Sequence, residues 1–83
     1  MASIDNALLK LCHHWVFTSI DSLNPHCAQP YSKEEMVEEL VGIGVPMHVA
    51  DMAWEEVFWE NSDCLMERGA DPNGNTRFQI VGK

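Results

Sequence analysis

Positive charge is what this chain has least of. Lys10, Lys33, Arg68, Arg77 and Lys83 stand against thirteen acids, for a formal charge of −8 at pH 7. Such a balance keeps a small protein dissolved and repels both nucleic-acid phosphates and anionic membrane. It favours a basic partner. Long apolar runs are missing as well, so no segment is expected to span a bilayer. The opening MASIDNALLKL has no basic cluster and no cleavage-type end, so no secretory leader is expected. Cysteine is scarce, odd in number and widely spaced. Cys12, Cys27 and Cys64 read as reduced thiols of a cytoplasmic protein rather than a disulfide frame. There is no internal repeat and no low-complexity tract.

What is present is enough for one packed domain, residues 1–83. Hydrophobic residues make up 46% of the chain, with three Trp and three Phe, which is too apolar for disorder. A chain this short buries a modest fraction of its surface, so each large apolar side chain counts.

Ser3 and Asp5 open the first helical pattern, expected over about 4 to 20. Ile4, Ala7, Leu8, Leu11, Cys12 and Trp15 recur at the helical period and predict its core face. Leu9, Val16 and Ile20 form a second stripe, a candidate dimer face. DSLNPHCAQPY follows as a loop, ending in a short extended piece at 29–31 because residues before proline prefer extended geometry. In SKEEMVEELVGIG, Ser32 and Glu35 have the spacing of a capping box. Met36, Val37, Leu40 and Val41 line one side of that second helix; Glu34, Glu35, Glu38 and Glu39 line the other. Gly42 and Gly44 end it, and Pro46 suits the first position of the next helix. The third helix, about 46 to 61, should bury Ala50, Ala53, Trp54 and Val57. His48, Asp51 and Glu55 lie opposite, and Met52 and Trp59 stand outside the buried arc. CLMERG and TRFQIVG alternate as two short strands, with Phe78 and Ile80 on one face. Asn73-Gly74 between them is a hairpin signal, since both residues tolerate positive φ.

The expected fold is therefore mainly α with a small β-hairpin, an α+β arrangement. The order of elements resembles the winged-helix domains over nearly the whole chain. The likeness rests on YSKEEMVEELVGIGVPMHVADMAWEEVFW as the helix-turn-helix and on CLMERGADPNGNTRFQIV as a C-terminal two-stranded wing. The resemblance implies a three-helix domain whose third helix enters the DNA major groove while the wing meets the backbone. Base edges are read by Arg, Lys, Asn or Gln, and phosphates need cations. Here the third helix offers Asp51, Glu55, Glu56 and Glu60. The wing offers Arg68 and Arg77 against Glu67 and Asp71. The chain departs from the family pattern at the positions that would carry DNA binding.

Four like-charge pairs at i,i+4 deepen the point: Glu34/Glu38, Glu35/Glu39, Asp51/Glu55 and Glu56/Glu60. Each costs a few tenths of a kcal/mol in a helix, and no lysine is placed to relieve it. A solvated acidic face explains them at least cost; a surface for a basic protein explains them functionally. The expected function is a small acidic protein-interaction module. Its candidate partner-binding residues are Met52, Glu55, Glu56 and Trp59, with Glu38 and Glu39 beside them. Apolar side chains would supply desolvated contact and acids would steer the partner. A DNA mimic of the phage or mobile-element accessory type is the first alternative, and a winged-helix DNA-binding regulator the second.

Cys12, His13, His14, His26 and Cys27 are metal-competent types at poor spacing. Cys12 and His14 diverge around a helix, and no paired ligand element accompanies them. No metal site is expected. The carboxylates fall on convex helix faces, and neither a phosphate loop nor an oxyanion-hole pattern is present. No enzymatic activity and no cofactor are expected.

Overall fold

The computed structural model describes residues 2–24 and 29–81, with side chains of the first helix from Asn6 onward. His26, Cys27 and the side chain of Ile4 lie outside the described residues. Three helices, α1 (Ala2–Ile20), α2 (Lys33–Gly42) and α3 (Met47–Glu60), precede an antiparallel hairpin of β1 (Leu65–Ala70) and β2 (Thr76–Ile80). This is the α+β arrangement with a C-terminal hairpin that the sequence pattern predicts. α3 is central, packed by α1 on one side and α2 on the other, and β2 closes against α1. Among the described residues no helix is long and apolar enough to cross a membrane.

The core contains Val16, Ile20, Met36, Leu40, Val49, Ala50, Ala53, Trp54, Val57 and Ile80, all at most 5% exposed. Of the second helix's apolar side, Met36 and Leu40 are buried, Val37 is partly buried and Val41 is exposed. Phe58 and Phe78 pack edge to face at 5.1 Å between ring centroids, beside Trp54. The predicted inner face of α3 is thus the buried one.

The first helix is rotated from the expectation: of its predicted core face Cys12 is buried and Leu8 packs against the core, but Ala7, Leu11 and Trp15 turn outward. Leu11 is 69% and Trp15 43% exposed, whereas Val16 is 0% and Ile20 1%. Leu9 also packs against the core. The candidate dimer face Leu9, Val16 and Ile20 is therefore the core face, with Cys12 at its margin. Two stripes of similar apolarity lie on α1, and helical period alone carries no instruction about which one meets α3.

Local chemistry sets the ends. Ser32 caps α2: its Oγ accepts from the Glu35 backbone N–H at 3.1 Å, and the Glu35 carboxylate accepts from the Ser32 N–H at 3.1 Å. α2 closes in a Schellman motif, with the Val45 N–H donating to the Leu40 carbonyl and the Gly44 N–H to that of Val41. Gly44 stands at φ 103°, where a Cβ would be strained. Pro46 is the residue before α3 rather than its first turn, extended at ψ 140°. Its carbonyl accepts from Val49 and Ala50.

The expected extended piece near Tyr31 pairs with β2: Tyr31 and Phe78 exchange both backbone hydrogen bonds, at 3.0 and 2.8 Å. β2 therefore has a neighbour on each edge. The hairpin turn differs from the predicted one. No non-glycine residue among those described has positive φ, and only Gly74 of the Asn-Gly pair does, at 87°. The Gly74 N–H donates to the Asp71 carbonyl and the Asp71 N–H to that of Asn75. Pro72, Asn73 and Gly74 thus form a three-residue loop, a turn followed by a left-handed glycine. Proline at the second turn position selects it, because its fixed φ excludes the two-residue mirror-image turn at that register. A second irregularity, a bulge between Glu67 and Ala70, falls where Gly69 has φ 76°.

Candidate interaction surface

The outer side of α3 presents Met52 at 47% and Trp59 at 66% exposure. Trp59 is presented but held. Its ring lies edge-on to Phe58 at 5.2 Å, and its indole N–H donates to Glu55 Oε1 at 3.1 Å. Glu55 Oε2 in turn accepts from Lys33 Nζ at 2.9 Å, and the same ammonium meets Asp51 Oδ1 at 2.7 Å. The Lys33 bond, then that of Trp59, holds the Glu55 carboxyl below its ordinary range. The contacts with Asp51 and Glu55 raise the Lys33 value correspondingly. Lys33 comes from the start of α2, so the Asp51/Glu55 pair is relieved across helices. The expectation that no lysine serves it is corrected, because a helical pattern counts neighbours along one helix only.

The other acidic pairs have separate fates. Glu35 takes a two-pronged contact from Arg77, Nε to Oε1 at 2.9 Å and Nη2 to Oε2 at 2.7 Å, which holds its carboxyl low. This joins α2 to the hairpin and consumes one of its cations. Glu39 accepts from Trp15 Nε1 at 3.2 Å and from Tyr31 Oη at 3.1 Å. It faces α1 and is not beside Met52 and Trp59. Glu38 remains exposed, on a groove of about 410 Å³ between α2 and α3 with Glu34, Val37, Val41, Met47 and Asp51. Among the described residues no cation pairs with Glu34, Glu38 or Glu56. The structure therefore gathers Met52, Glu55, Glu56 and Trp59 on one helix face, sets Glu38 across the groove and separates Glu39.

Two constellations escaped the sequence. Asp71, 6% exposed, accepts from the Ser32 hydroxyl at 2.7 Å, from the backbone N–H groups of Asn73 and Asn75 at 2.9 Å, and from the Asn75 side chain. The Ser32 bond leads the group that keeps its carboxyl below its ordinary value. The aspartate at the first turn position was a local signal for the turn bonds; its bond to Ser32 had none. In the second, His13 Nε2 stands 2.9 Å from Glu60 Oε1, and with Glu56 the three offer cation-ligand atoms within 4.8 Å of one another. The i,i+4 spacing of Glu56 and Glu60 hinted at half of this. The cluster is open to solvent on its carboxylate side. Of the metal-competent residues singled out in sequence, His13 joins this cluster, Cys12 is buried in the core, where burial raises its thiol value, and His26 and Cys27 lie outside the described residues.

No family model matches the chain, and neither does any curated protein or solved structure.

Proposed function

We propose that this chain is a small cytoplasmic protein-interaction module of winged-helix-like build that binds a basic protein. Its contact surface is the outer side of α3, with Met52, Glu56 and Trp59 as contacts, Glu55 holding Trp59, and Glu38 as an acid on the neighbouring rim. The observation that carries this reading is the presentation of Trp59: two-thirds exposed, yet fixed by a ring contact and by a hydrogen bond to Glu55. A pre-ordered aromatic loses little freedom on binding, and tryptophan is a preferred anchor of protein interfaces. Carboxylates around it speed encounter with a positively charged surface.

Duplex DNA is a poor fit to the same surface. Residues 33–60 hold Glu34, Glu35, Glu38, Glu39, Asp51, Glu55, Glu56 and Glu60 against Lys33 alone. Lys33 is engaged by Asp51 and Glu55, and Arg77 of the wing by Glu35. Seating α3 in a groove would set carboxylates against phosphates. No catalysis and no cofactor are part of this reading.

The test is titration with an amphipathic Leu/Lys helical peptide, followed by tryptophan fluorescence at several salt concentrations, with a mixed-sequence DNA duplex in parallel. Saturable peptide binding that weakens with salt and drops at least about tenfold in Trp59→Ala and in Glu56→Gln is expected. A salt-dependent shift of the duplex without peptide binding would return the chain to the DNA-binding regulators.

A further inference from the structure

We propose that the outer stripe of α1 pairs two copies of this chain, with Leu11 on the two-fold axis and each Trp15 over the other copy's Ala7. The stripe is the face turned away from the core. Leu11 is 69% and Trp15 43% exposed, and Ala7 one turn earlier is exposed too. Residues spaced by four lie along one line of a helix. Trp15 is partly covered and reaches Glu39 of α2, but its exposed part and Leu11 one turn earlier form adjoining apolar surface, and contiguous exposed apolar surface marks an interaction site.

Charge identifies the occupant. The longest stretch that the thirteen acids leave untouched runs from Asn6 to Ile20, with Lys10 and His14 interspersed. Two other exposed apolar groups stand among acids, Trp59 by Glu55 and Glu56, and Met47 by Glu34, Glu38 and Asp51. A basic partner is drawn to those rims. A second copy carrying −8 is repelled from them, and meets less repulsion on α1, whose residues from Asn6 to Ile20 carry no carboxylate and where Glu39 borders Trp15.

Shape agrees with a self-match. Positions 7, 11 and 15 are symmetric about 11, so an antiparallel approach sets large Trp15 on small Ala7 twice and Leu11 on Leu11 once. Such a contact is isologous, as a two-fold dimer requires. Trp15 is ordered before contact, since its indole N–H is bonded to Glu39. Glu39, at the margin of the stripe, has its second oxygen bonded by Tyr31 Oη.

Sedimentation equilibrium over a range of concentration and salt tests the assignment, with oxidative cross-linking of Leu11→Cys as a second readout. The expected result is a concentration-dependent dimer that tightens as salt rises, because salt screens the repulsion between like-charged copies. Leu11→Glu should weaken it roughly a hundredfold, by burying two carboxylates at the axis, while leaving the circular dichroism of the monomer unchanged. Leu11→Cys should cross-link copies above the wild-type background, and Leu23→Cys, at a position 73% exposed, should not. A monomer at every concentration and salt would overturn the proposal. So would a dimer that weakens with salt, or one indifferent to Leu11→Glu and unlinked through Leu11→Cys.

Discussion

Ser32 is fully buried where α2 begins and the hairpin turns. Its hydroxyl accepts from the Glu35 backbone and donates to Asp71, so one side chain caps a helix and anchors a hairpin loop. Ser32→Ala removes the cap and leaves a buried carboxylate short of a donor. The expected loss is about 1–2 kcal/mol, measured by urea denaturation. Acid should act through the same contacts. Glu35, Glu55 and Asp71 are held below their ordinary values, so the unfolded chain binds protons more readily than the folded one. Their stabilisation is complete above the ordinary carboxylate range of about 4 and is lost as pH falls through the lower folded values. A melting series downward from neutral pH should show this acid limb, and Asp71→Asn should start lower and lose less along it. The capping box was legible because its donors and acceptors are three residues apart. The Ser32–Asp71 bond spans 39 residues, and no local pattern encodes it.

At the scale of the element, α1 holds the main departure from expectation. Its two apolar stripes have comparable composition, and the one with less sequence continuity is buried. Partnership decides this: α1 lies on α3, and β2 closes over its end near Ile20 and Asp21. Substitution separates the two roles. Ile20→Ala should cost about 2–5 kcal/mol, as a truncation in a packed core does. Leu11→Ala should stay within about 0.5 kcal/mol when measured on the dilute monomer. Equal losses would mean that the burial assigned to the two stripes is wrong. α3 was the more legible helix, since acids cover its outer side and leave one face free to bury. The hairpin was legible in place and in strand content. Its loop type turned on Pro72, which has no N–H to pair across an Asn-Gly turn and whose fixed φ suits the second position of the turn that forms.

For the whole molecule, net charge outweighs any single ion pair. The close pairs Lys33–Asp51, Lys33–Glu55 and Arg77–Glu35 engage two cations and leave a large uncompensated excess of acids. Self-repulsion of that excess opposes the compact state. Raising salt from low to moderate concentration should therefore raise the melting temperature, even though it weakens the partly exposed pairs individually. A fall would show that the ion pairs, and not the excess charge, dominate the electrostatics. The same charge distinguishes the two proposed contacts. A basic partner on α3 should be released by salt, and a second copy on α1 should be retained by it.

The sequence by itself determined the elements, their order, the cap of α2, the buried side of α3 and the acid excess. These follow from interactions within a few residues, or from composition, and both are written locally. Only the tertiary structure decided which stripe of α1 is core. It also decided which acids are neutralised, through Lys33 across helices and Arg77 from the hairpin, and that Trp59 and Trp15 are each hydrogen-bonded to a glutamate. Those outcomes depend on side chains brought together from distant parts of the chain. Hydrophobic period and charge spacing along one helix constrain what must be buried or paired, and leave open what it meets.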